Sequence, residues 1–247
     1  MTDRSVLAVT GRDREHFLQG LVTNDLRKAA GGIVYAALLT PQGKYIADFF
    51  IIGQPDHHLI DVATPLAQPL VQRLSMYRLR ADVQIAPTNL VVSRGTGPAP
   101  AGALPDPRHP ALGWRHYGPA DISQPTDWEA IRVAHLIPET GIELGPDTYI
   151  LEAGFERLHG VDFRKGCYVG QEVTARMKHK TELRKGLLPV RIEGEAPPGT
   201  PVLSGDREAG TLFTRSGDRA IAWLRHDRAE GPLTAGPARL TALRPPD

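Results

Sequence analysis

The chain has 247 residues, and its 29 Lys and Arg against 28 Asp and Glu give a formal net charge of +1. This balance argues against a nucleic-acid partner bound through phosphate neutralisation. The hydrophobic content of 41% argues against a disordered chain, and no apolar run approaches the roughly 20 residues that span a bilayer. Because Cys167 is the only cysteine, no internal disulfide can form, and we expect a folded cytoplasmic protein that needs no membrane.

Strand and helix patterns alternate over the first third of the chain. Apolar residues at helical spacing predict helices over Gly11–Leu21 and Pro65–Tyr77. The segment Pro41–Lys44 joins two β-rich runs and predicts a hairpin turn. The order of the elements predicts an α+β fold with mostly antiparallel sheets. The predicted strands are Ser5–Val9, Ile33–Thr40, Tyr45–Ile52, His58–Ala63 and Ala81–Ser93.

The middle of the chain combines a loop-rich region with one helix. Gly95–Pro125 is dense in Pro and Gly, which indicates a loop or insertion with at most short strands. Thr126–Leu136 has helical spacing, and either Thr126 or Asp127 caps its start.

The C-terminal quarter is rich in short β-type runs separated by Pro and Gly turns. This rhythm is typical of a small all-β barrel or sandwich. We therefore expect a body over residues 1–185, with its loop-rich insertion at about 95–125, and a C-terminal β-barrel over 186–247. The predicted strands are Leu188–Ile192, Ala209–Phe213, Ala220–Leu224 and Ala238–Leu243.

Several catalytic signatures are absent from the sequence. There is no P-loop, no Gly-x-Ser-x-Gly and no His-Glu-x-x-His motif. His57 and His58 form the only adjacent histidine pair. Their side chains would point to opposite faces of a strand, so we expect no metal site there.

The most unusual segment surrounds the single thiol. Cys167 follows Arg164, Lys165 and Gly166, just ahead of a helical run that starts at Gln171. A helix N-terminus and flanking cations both favour the thiolate form. The alternative is a buried structural cysteine in a turn, which is the commoner role of a free cysteine.

The octapeptide Lys165-Gly-Cys-Tyr-Val-Gly-Gln-Glu172 resembles the signature of the folate-binding YgfZ-type proteins. These are relatives of the glycine cleavage system T-protein that act in iron–sulfur cluster assembly and maintenance. Phe17–Asp25, the turn Pro41–Lys44 and Ile137–Gly141 are similar to further segments of that family, so the resemblance covers nearly the whole chain. It implies a T-protein-like folate-binding body around a central cavity, followed by the C-terminal barrel.

The resemblance also implies roles for particular residues. Lys165 and Cys167 would be the functional pair, with Gln171 and Glu172 ordering their loop. Asn24 and Asp25 would face the same space, or else make hydrogen bonds in a turn. Arg78 and Arg80 would contact an acidic cofactor tail, or else be ordinary surface charges. The cofactor-binding set is then Asn24, Asp25, Arg78, Tyr168, Gln171 and Glu172.

Two positions depart from the family pattern. The T-protein has adjacent aspartates in its hairpin, one of them catalytic, where this chain has Ala47-Asp48. Ala134 stands where relatives place a pterin-binding glutamate. A methyl group cannot form the charged hydrogen bonds that a pterin ring takes, so binding of tetrahydrofolate is weakened.

These motifs and their departures from the family pattern leave three alternative functions. The first is an accessory factor for assembly or repair of [4Fe–4S] clusters, with iron–sulfur scaffold or carrier proteins and client enzymes as partners. The second is a tetrahydrofolate-dependent aminomethyl or one-carbon transferase, which the missing acidic groups oppose. The third is a cysteine-nucleophile enzyme that uses His159 or His179 as base. Because an iron–sulfur cluster needs four protein ligands, Cys167 would bind a cluster only if a partner supplied the other ligands.

Overall fold

The computed structural model describes residues 3–180 and 182–246. The chain forms two compact units that do not follow sequence order. One holds the residues up to Thr126 together with Phe155–Ala175, and the other holds Asp127–Gly154 together with the residues from Arg176 onward. The predicted body over 1–185 differs from this division, because residues 127–154 cluster with the C-terminal barrel.

A five-stranded antiparallel sheet forms the centre of the first unit. Its spatial order is β2-β3-β4-β1-β5. Helices α1 (Arg14–Gln19) and α2 (Thr64–Arg78) accompany it. The strands are β1 (Arg4–Thr10), β2 (Ile33–Leu39), β3 (Tyr45–Gly53), β4 (His58–Ala63) and β5 (Gln84–Pro87).

Strands β2 and β3 of this sheet are buried on both faces. β2 and β3 form the predicted hairpin, whose turn is closed by a hydrogen bond from Thr40 N to Lys44 O at 2.8 Å. Nearly every residue of both strands is buried, which explains why their sequences read as continuous apolar runs. On one face Phe49 packs in a core with Leu18 and Leu70 from the two helices.

The predicted strand over Ala81–Ser93 is two strands in different sheets. β5 pairs with β1, whereas β6 (Val91–Gly95) pairs with β8 (Trp114–Gly118) in a three-stranded sheet of order β6-β8-β7. The third strand, β7 (Leu104–Pro105), is short, as expected for the loop-rich region. Residues 88–90 separate the two pairings, so the prediction of a single strand over this range was wrong.

A buried ionic cluster joins the two sheets. Asp61 on β4 is fully buried and accepts hydrogen bonds from Arg4 Nε at 2.6 Å and Arg115 Nη2 at 2.5 Å. Arg115 also donates to Asp106 at 3.2 Å and lies 3.9 Å above the ring of Phe50. Burial alone would raise the pKa of Asp61, but the Arg115 and Arg4 charges hold this pKa well below its usual range.

The second unit is a closed β-barrel with a helix packed on it. The barrel order is β10-β11-β12-β9-β14-β13, with antiparallel pairing throughout. This confirms the predicted α+β class with mostly antiparallel sheets and a C-terminal β-barrel. The strands are β9 (Lys185–Glu193), β10 (Pro201–Ser204), β11 (Arg207–Ser216), β12 (Arg219–Arg225), β13 (Leu233–Ala235) and β14 (Ala238–Ala242).

Helix α3 (Trp128–Ala134) packs on β11 and β12 of the barrel. Its start is capped by Asp127, whose side chain accepts a hydrogen bond from Ala130 N at 3.0 Å, so Asp127 rather than Thr126 is the cap. Arg132 is buried and donates to Glu143 Oε2 at 2.5 Å and to Thr214 Oγ1 on β11 at 3.3 Å. These bonds tie residues 127–154 to the barrel.

Helix α4 (Gln171–Lys180) follows the cysteine segment, as the sequence predicts. No helix among the described residues is long and apolar enough to cross a membrane.

Candidate functional site

The segment that leads to Cys167 is held by hydrogen bonds from Thr23 and Asn24, in the polar run Thr23-Asn24-Asp25 that follows α1. Thr23 Oγ1 donates to Gly160 O at 2.7 Å, and Asp162 N donates to Thr23 O at 3.0 Å. Asp162 also accepts a hydrogen bond from Arg164 N at 2.7 Å and pairs with Lys28 at 2.7 Å. The segment is therefore fixed before it reaches the thiol.

Asn24 holds the same segment through its carboxamide. Nδ2 donates to Tyr35 O and to His159 O, both at 2.7 Å, and Oδ1 accepts from Asp25 N at 2.9 Å. His159 has a left-handed backbone with φ 55°, a conformation that histidine adopts more readily than most residues. Asn24 is buried. These bonds support the turn alternative for Asn24 over a role in contacting a ligand.

Asp25 is likewise engaged within its own segment. Its carboxylate accepts hydrogen bonds from Arg27 Nη2 at 2.6 Å and from Gln19 Nε2 at 3.1 Å. The bond from Arg27 holds the pKa of the Asp25 carboxyl well below its usual range. Asp25 also caps the 3₁₀ helix Leu26–Ala29, so its contacts again favour the turn alternative.

Lys165 is buried beneath the loop that carries the thiol. Its Nζ donates to Gln19 O at 2.8 Å and to Val22 O, and it lies 5.1 Å from the ring centroid of Tyr168. Burial lowers the pKa of Lys165 to about 8, although the charges of Asp25 and Asp162 oppose this shift. The ammonium group therefore anchors the loop to the backbone after α1.

Cys167 is exposed, three residues before Gly170, which immediately precedes α4. Gly170 has φ 83°, and a Cβ there would lie 2.6 Å from Thr40 O in the β2–β3 hairpin. Gly43 in that hairpin has φ 77°, and its Cβ would lie 2.9 Å from Val173 Cβ. The two glycines let the hairpin turn and the start of α4 approach closely, as no other residue type would.

The neighbours of Cys167 differ in exposure. Tyr168 is buried, and its burial raises the pKa of its hydroxyl to about 12. Gln171 is half-buried in the first turn of α4, and Glu172 beside it is exposed. The loop thus presents the thiol outward while Lys165 and Tyr168 lie beneath it.

Asp48, in the hairpin position that the T-protein pattern singles out, is buried between two tyrosines. Tyr45 OH donates to its Oδ1 at 2.6 Å and Tyr35 OH donates to its Oδ2 at 3.0 Å. Burial, then the charge of Asp48, raises the pKa of Tyr35 well above its ordinary value. The phenol of Tyr35 therefore stays protonated and donates to Asp48 Oδ2.

Arg78 lies apart from these hydrogen bonds, at the end of α2. It is exposed, and its Nη1 donates to Val83 O at 3.4 Å. Arg80 is also exposed. Both positions agree with the surface alternative.

Sequence reasoning missed Gln19, Thr23 and Asp162 as site residues. Gln19 Oε1 accepts from Leu26 N at 2.9 Å, while its backbone carbonyl holds Lys165. Gln19 and Thr23 stand inside the Phe17–Asp25 block, so their presence in a family motif was the available signal. No sequence signal marked Asp162, because its ion-pair partner Lys28 is distant in sequence.

The solved structures place the fold in the class of the glycine cleavage T-protein. The aminomethyltransferase T of Bartonella henselae superposes with a TM-score of 0.78 over 98% of this chain and 82% of that chain. The sequence identity is 11%, so this likeness shows the fold alone. It confirms the T-protein-like body that the motifs implied.

The sequence comparisons identify the family. The chain is 30% identical to the mitochondrial iron–sulfur cluster assembly factor IBA57 of Mus musculus over 278 aligned positions, covering 93% of this chain and 78% of that protein. It is 30% identical to the Homo sapiens protein of the same name with the same two coverages. Residues 184–247 match the model of the CAF17 C-terminal β-barrel domain. The chain belongs to the family of IBA57 iron–sulfur cluster assembly factors.

Proposed function

We propose that this chain is an accessory factor for the assembly or repair of [4Fe–4S] clusters in target enzymes, and that Cys167 is its working thiol. Its membership of a family whose mouse and human members are named iron–sulfur cluster assembly factors supports the process. At the finer level, the octapeptide around Cys167 resembles the YgfZ-type signature. A reduced thiol needs a reducing compartment, and we place the chain in the cytoplasm.

The observation that carries the proposal is the exposed thiol on an anchored loop. Cys167 is exposed, whereas a structural cysteine is usually buried. The loop is held on one side by Lys165 and on the other by the close approach at Gly170. A partner's iron can therefore reach the sulfur without unfolding of the segment.

The cluster is cargo shared with a partner. A [4Fe–4S] cluster takes four protein ligands, usually thiolates, and this chain has one cysteine. In residues 3–180 and 182–246, no three His, Cys, Asp or Glu side chains gather as a metal site. The remaining ligands must come from a scaffold or carrier protein, a client enzyme, a second copy or a small thiol.

The proposed step is a ligand exchange without electron transfer. The Cys167 thiol releases its proton to water, and its sulfur forms a bond to one iron of the incoming cluster. One thiolate of the donor leaves that iron and takes up a proton. Lys165 is a positioning residue in this step, because its ammonium group holds the loop and does not face the cargo.

The experiment combines reconstitution with an in-cell assay. Incubation with a cluster-loaded scaffold protein should give a labile cluster signal that is lost in Cys167→Ser, and client-enzyme activity in cells should fall with it. A matched variant, Cys167→Ser with Ser75→Cys, moves the thiol to an exposed position on α2 and should not restore either readout. A stable cluster on the isolated monomer, or full function of Cys167→Ser in cells, would contradict the proposal.

The residues present do not fit tetrahydrofolate as the family pattern expects. Ala134 ends α3 and is exposed, and its methyl group offers no acceptor to a pterin ring. We therefore propose that tetrahydrofolate binds weakly. Calorimetric titration should show tighter binding by Ala134→Glu than by the wild type. Strong binding by the wild type that Ala134→Glu leaves unchanged would overturn this.

The two enzymatic alternatives have less support. The aminomethyl or one-carbon transferase lacks the first carboxylate of the aspartate pair, since Ala47 replaces it. A cysteine nucleophile takes its activation from a hydrogen-bonded base, and within the described residues Cys167 forms no hydrogen bond to His159. A search by mass spectrometry for an acyl or glycosyl adduct on Cys167 tests the second alternative directly.

A further inference from the structure

A cleft of about 440 Å³ lies at one end of the five-stranded sheet, and none of its lining residues belongs to the Cys167 loop. β3 ends there at Gly53 and β4 begins at His58, while Arg14 contributes from the start of α1. Leu26 and Ile52 supply apolar groups. This volume falls in the range of about 300–1,000 Å³ that small-molecule sites occupy.

His58 is a buried imidazole with unused hydrogen-bonding atoms. Its exposure is 7%, and neither Nδ1 nor Nε2 has a hydrogen-bond partner among the described residues. Burial, then the charge of Arg14, lowers the pKa of His58, so the ring is neutral at neutral pH and offers one N–H donor and one acceptor nitrogen. Buried polar groups of this kind normally have partners. The two unpartnered ring nitrogens of His58 therefore indicate that a ligand supplies the hydrogen-bond partner.

Arg14 presents a second unused donor in the same cleft. Its Nη1 donates to Gly11 O at 3.0 Å and its Nη2 to Pro55 O at 2.9 Å, which fixes the plane of the guanidinium. The buried Nε has no hydrogen-bond partner, and no carboxylate of the described residues forms an ion pair with this arginine. The cleft thus holds a positive charge that the rest of the described chain leaves without a counter-charge in contact.

We propose that this cleft binds a small organic carboxylate. Arg14 Nε–H and the ring N–H of His58 donate to the carboxylate oxygens, and Leu26 and Ile52 contact the carbon skeleton. Two single donors match the two oxygens of a carboxylate. An inorganic phosphate would bring more acceptor oxygens than two donors can satisfy, and Glu15, which also lines the cleft, repels a second negative charge.

Arg27 also lines the cleft, but its guanidinium is already paired with Asp25 at 2.6 Å. The Arg27 guanidinium is therefore not counted among the hydrogen-bond donors of the proposed site. The proposed site is independent of the proposed function of Cys167, because the two share no residue.

The test uses the full chain with the monocarboxylates propionate, butyrate and benzoate as probes. Butyramide and benzamide are the matched neutral probes, and inorganic phosphate is the competing anion. Thermal unfolding and saturation-transfer NMR should show saturable binding of at least one carboxylate and none of the amides. Losing a hydrogen bond to a charged group should weaken that binding by about tenfold or more in Arg14→Gln and in His58→Gln.

Arg12→Gln is the control variant, because Arg12 is exposed and pairs with Asp82 outside the cleft. It should bind the carboxylate as the wild type does. Circular dichroism checks the fold of each variant, and if His58→Gln fails to fold, Arg14→Gln alone decides. The proposal is overturned if no carboxylate binds at millimolar concentrations, if phosphate binds more tightly than every carboxylate, or if Arg14→Gln binds as the wild type. The alkylation rate of Cys167 is measured in both variants as a separate readout of the proposed function. A failure of the cleft proposal can then be told apart from a failure of that function.

Discussion

The ammonium group of Lys165 donates to the carbonyls of Gln19 and Val22, while Cys167, two residues further on, is exposed. The motif therefore gives its two most reactive side chains different tasks. One fixes the loop from beneath and the other remains available on its surface. The family motif predicted that both residues matter, but the direction in which each side chain points could not be read from their spacing.

At the residue scale, the first prediction concerns the reactivity of the thiol. Iodoacetamide should label Cys167 in the native chain at neutral pH without denaturant, because the thiol is exposed on its loop. Lys165→Met should slow the labelling, because it removes a nearby positive charge and both carbonyl contacts that hold the loop. Mass spectrometry of timed samples measures the rate, and Lys178→Met, late in α4, is the control. Labelling that needs denaturant, or that Lys165→Met leaves unchanged, would contradict this.

At the scale of elements, two motifs far apart in sequence form one structure. Thr23 and Asn24 follow α1, and they hold Gly160 and His159 ahead of the cysteine loop. The sequence marked both motifs as significant. It could not show that they touch, because hydrogen bonds between segments so distant in the chain leave no local pattern.

The second prediction tests this junction through Asn24. Asn24→Ala should lower the free energy of unfolding by about 2–3 kcal/mol, because it leaves buried backbone groups without partners. Asn89 is exposed and is the only other asparagine, so Asn89→Ala should change stability by less than about 0.5 kcal/mol. Urea unfolding followed by circular dichroism measures both. Equal stabilities with loss of cluster transfer in Asn24→Ala would instead indicate a direct functional role.

Local sequence also could not show where strands change sheets. The predicted strand over Ala81–Ser93 has continuous β character, yet β5 pairs with β1 and β6 pairs with β8. Two barrel strands, β10 and β13, were not predicted because each has only three or four residues. Strong local signals were sufficient to predict two elements: the Pro41–Lys44 turn predicted the β2–β3 hairpin, and the apolar spacing over Pro65–Tyr77 predicted α2.

The third prediction concerns Asp61, which links β1, β4 and β8 through Arg4 and Arg115. Because its folded pKa lies below the unfolded value, its stabilising effect is complete above that unfolded value and is lost as the pH falls toward the folded pKa. Stability should therefore decline below about pH 4. At neutral pH, Asp61→Asn should cost about 3–5 kcal/mol by leaving buried arginines uncompensated. The exposed Asp56→Asn is the control in urea unfolding at several pH values, and a flat profile would exclude this role.

At the scale of the whole molecule, the chain order and the compact units do not coincide. Residues 127–154 belong with the barrel, because α3 packs on β11 and β12 and Arg132 bonds with Glu143 and Thr214. The sequence predicted a boundary near Gly186 from the change in composition. Composition could not reveal that an earlier helix completes the barrel unit.

The fourth prediction follows from this division. A chain that ends at residue 185 loses β11 and Thr214, so α3 should expose its barrel-facing side and the buried Arg132 and Glu143 should lose a partner. We expect strong binding of an apolar fluorescent dye and rapid proteolysis within residues 127–154, while the sheet over 33–63 stays resistant. The full-length chain is the control for both readouts. A monomeric, dye-silent chain of residues 1–185, with 127–154 as resistant as in the full-length protein, would show that this segment folds without the barrel.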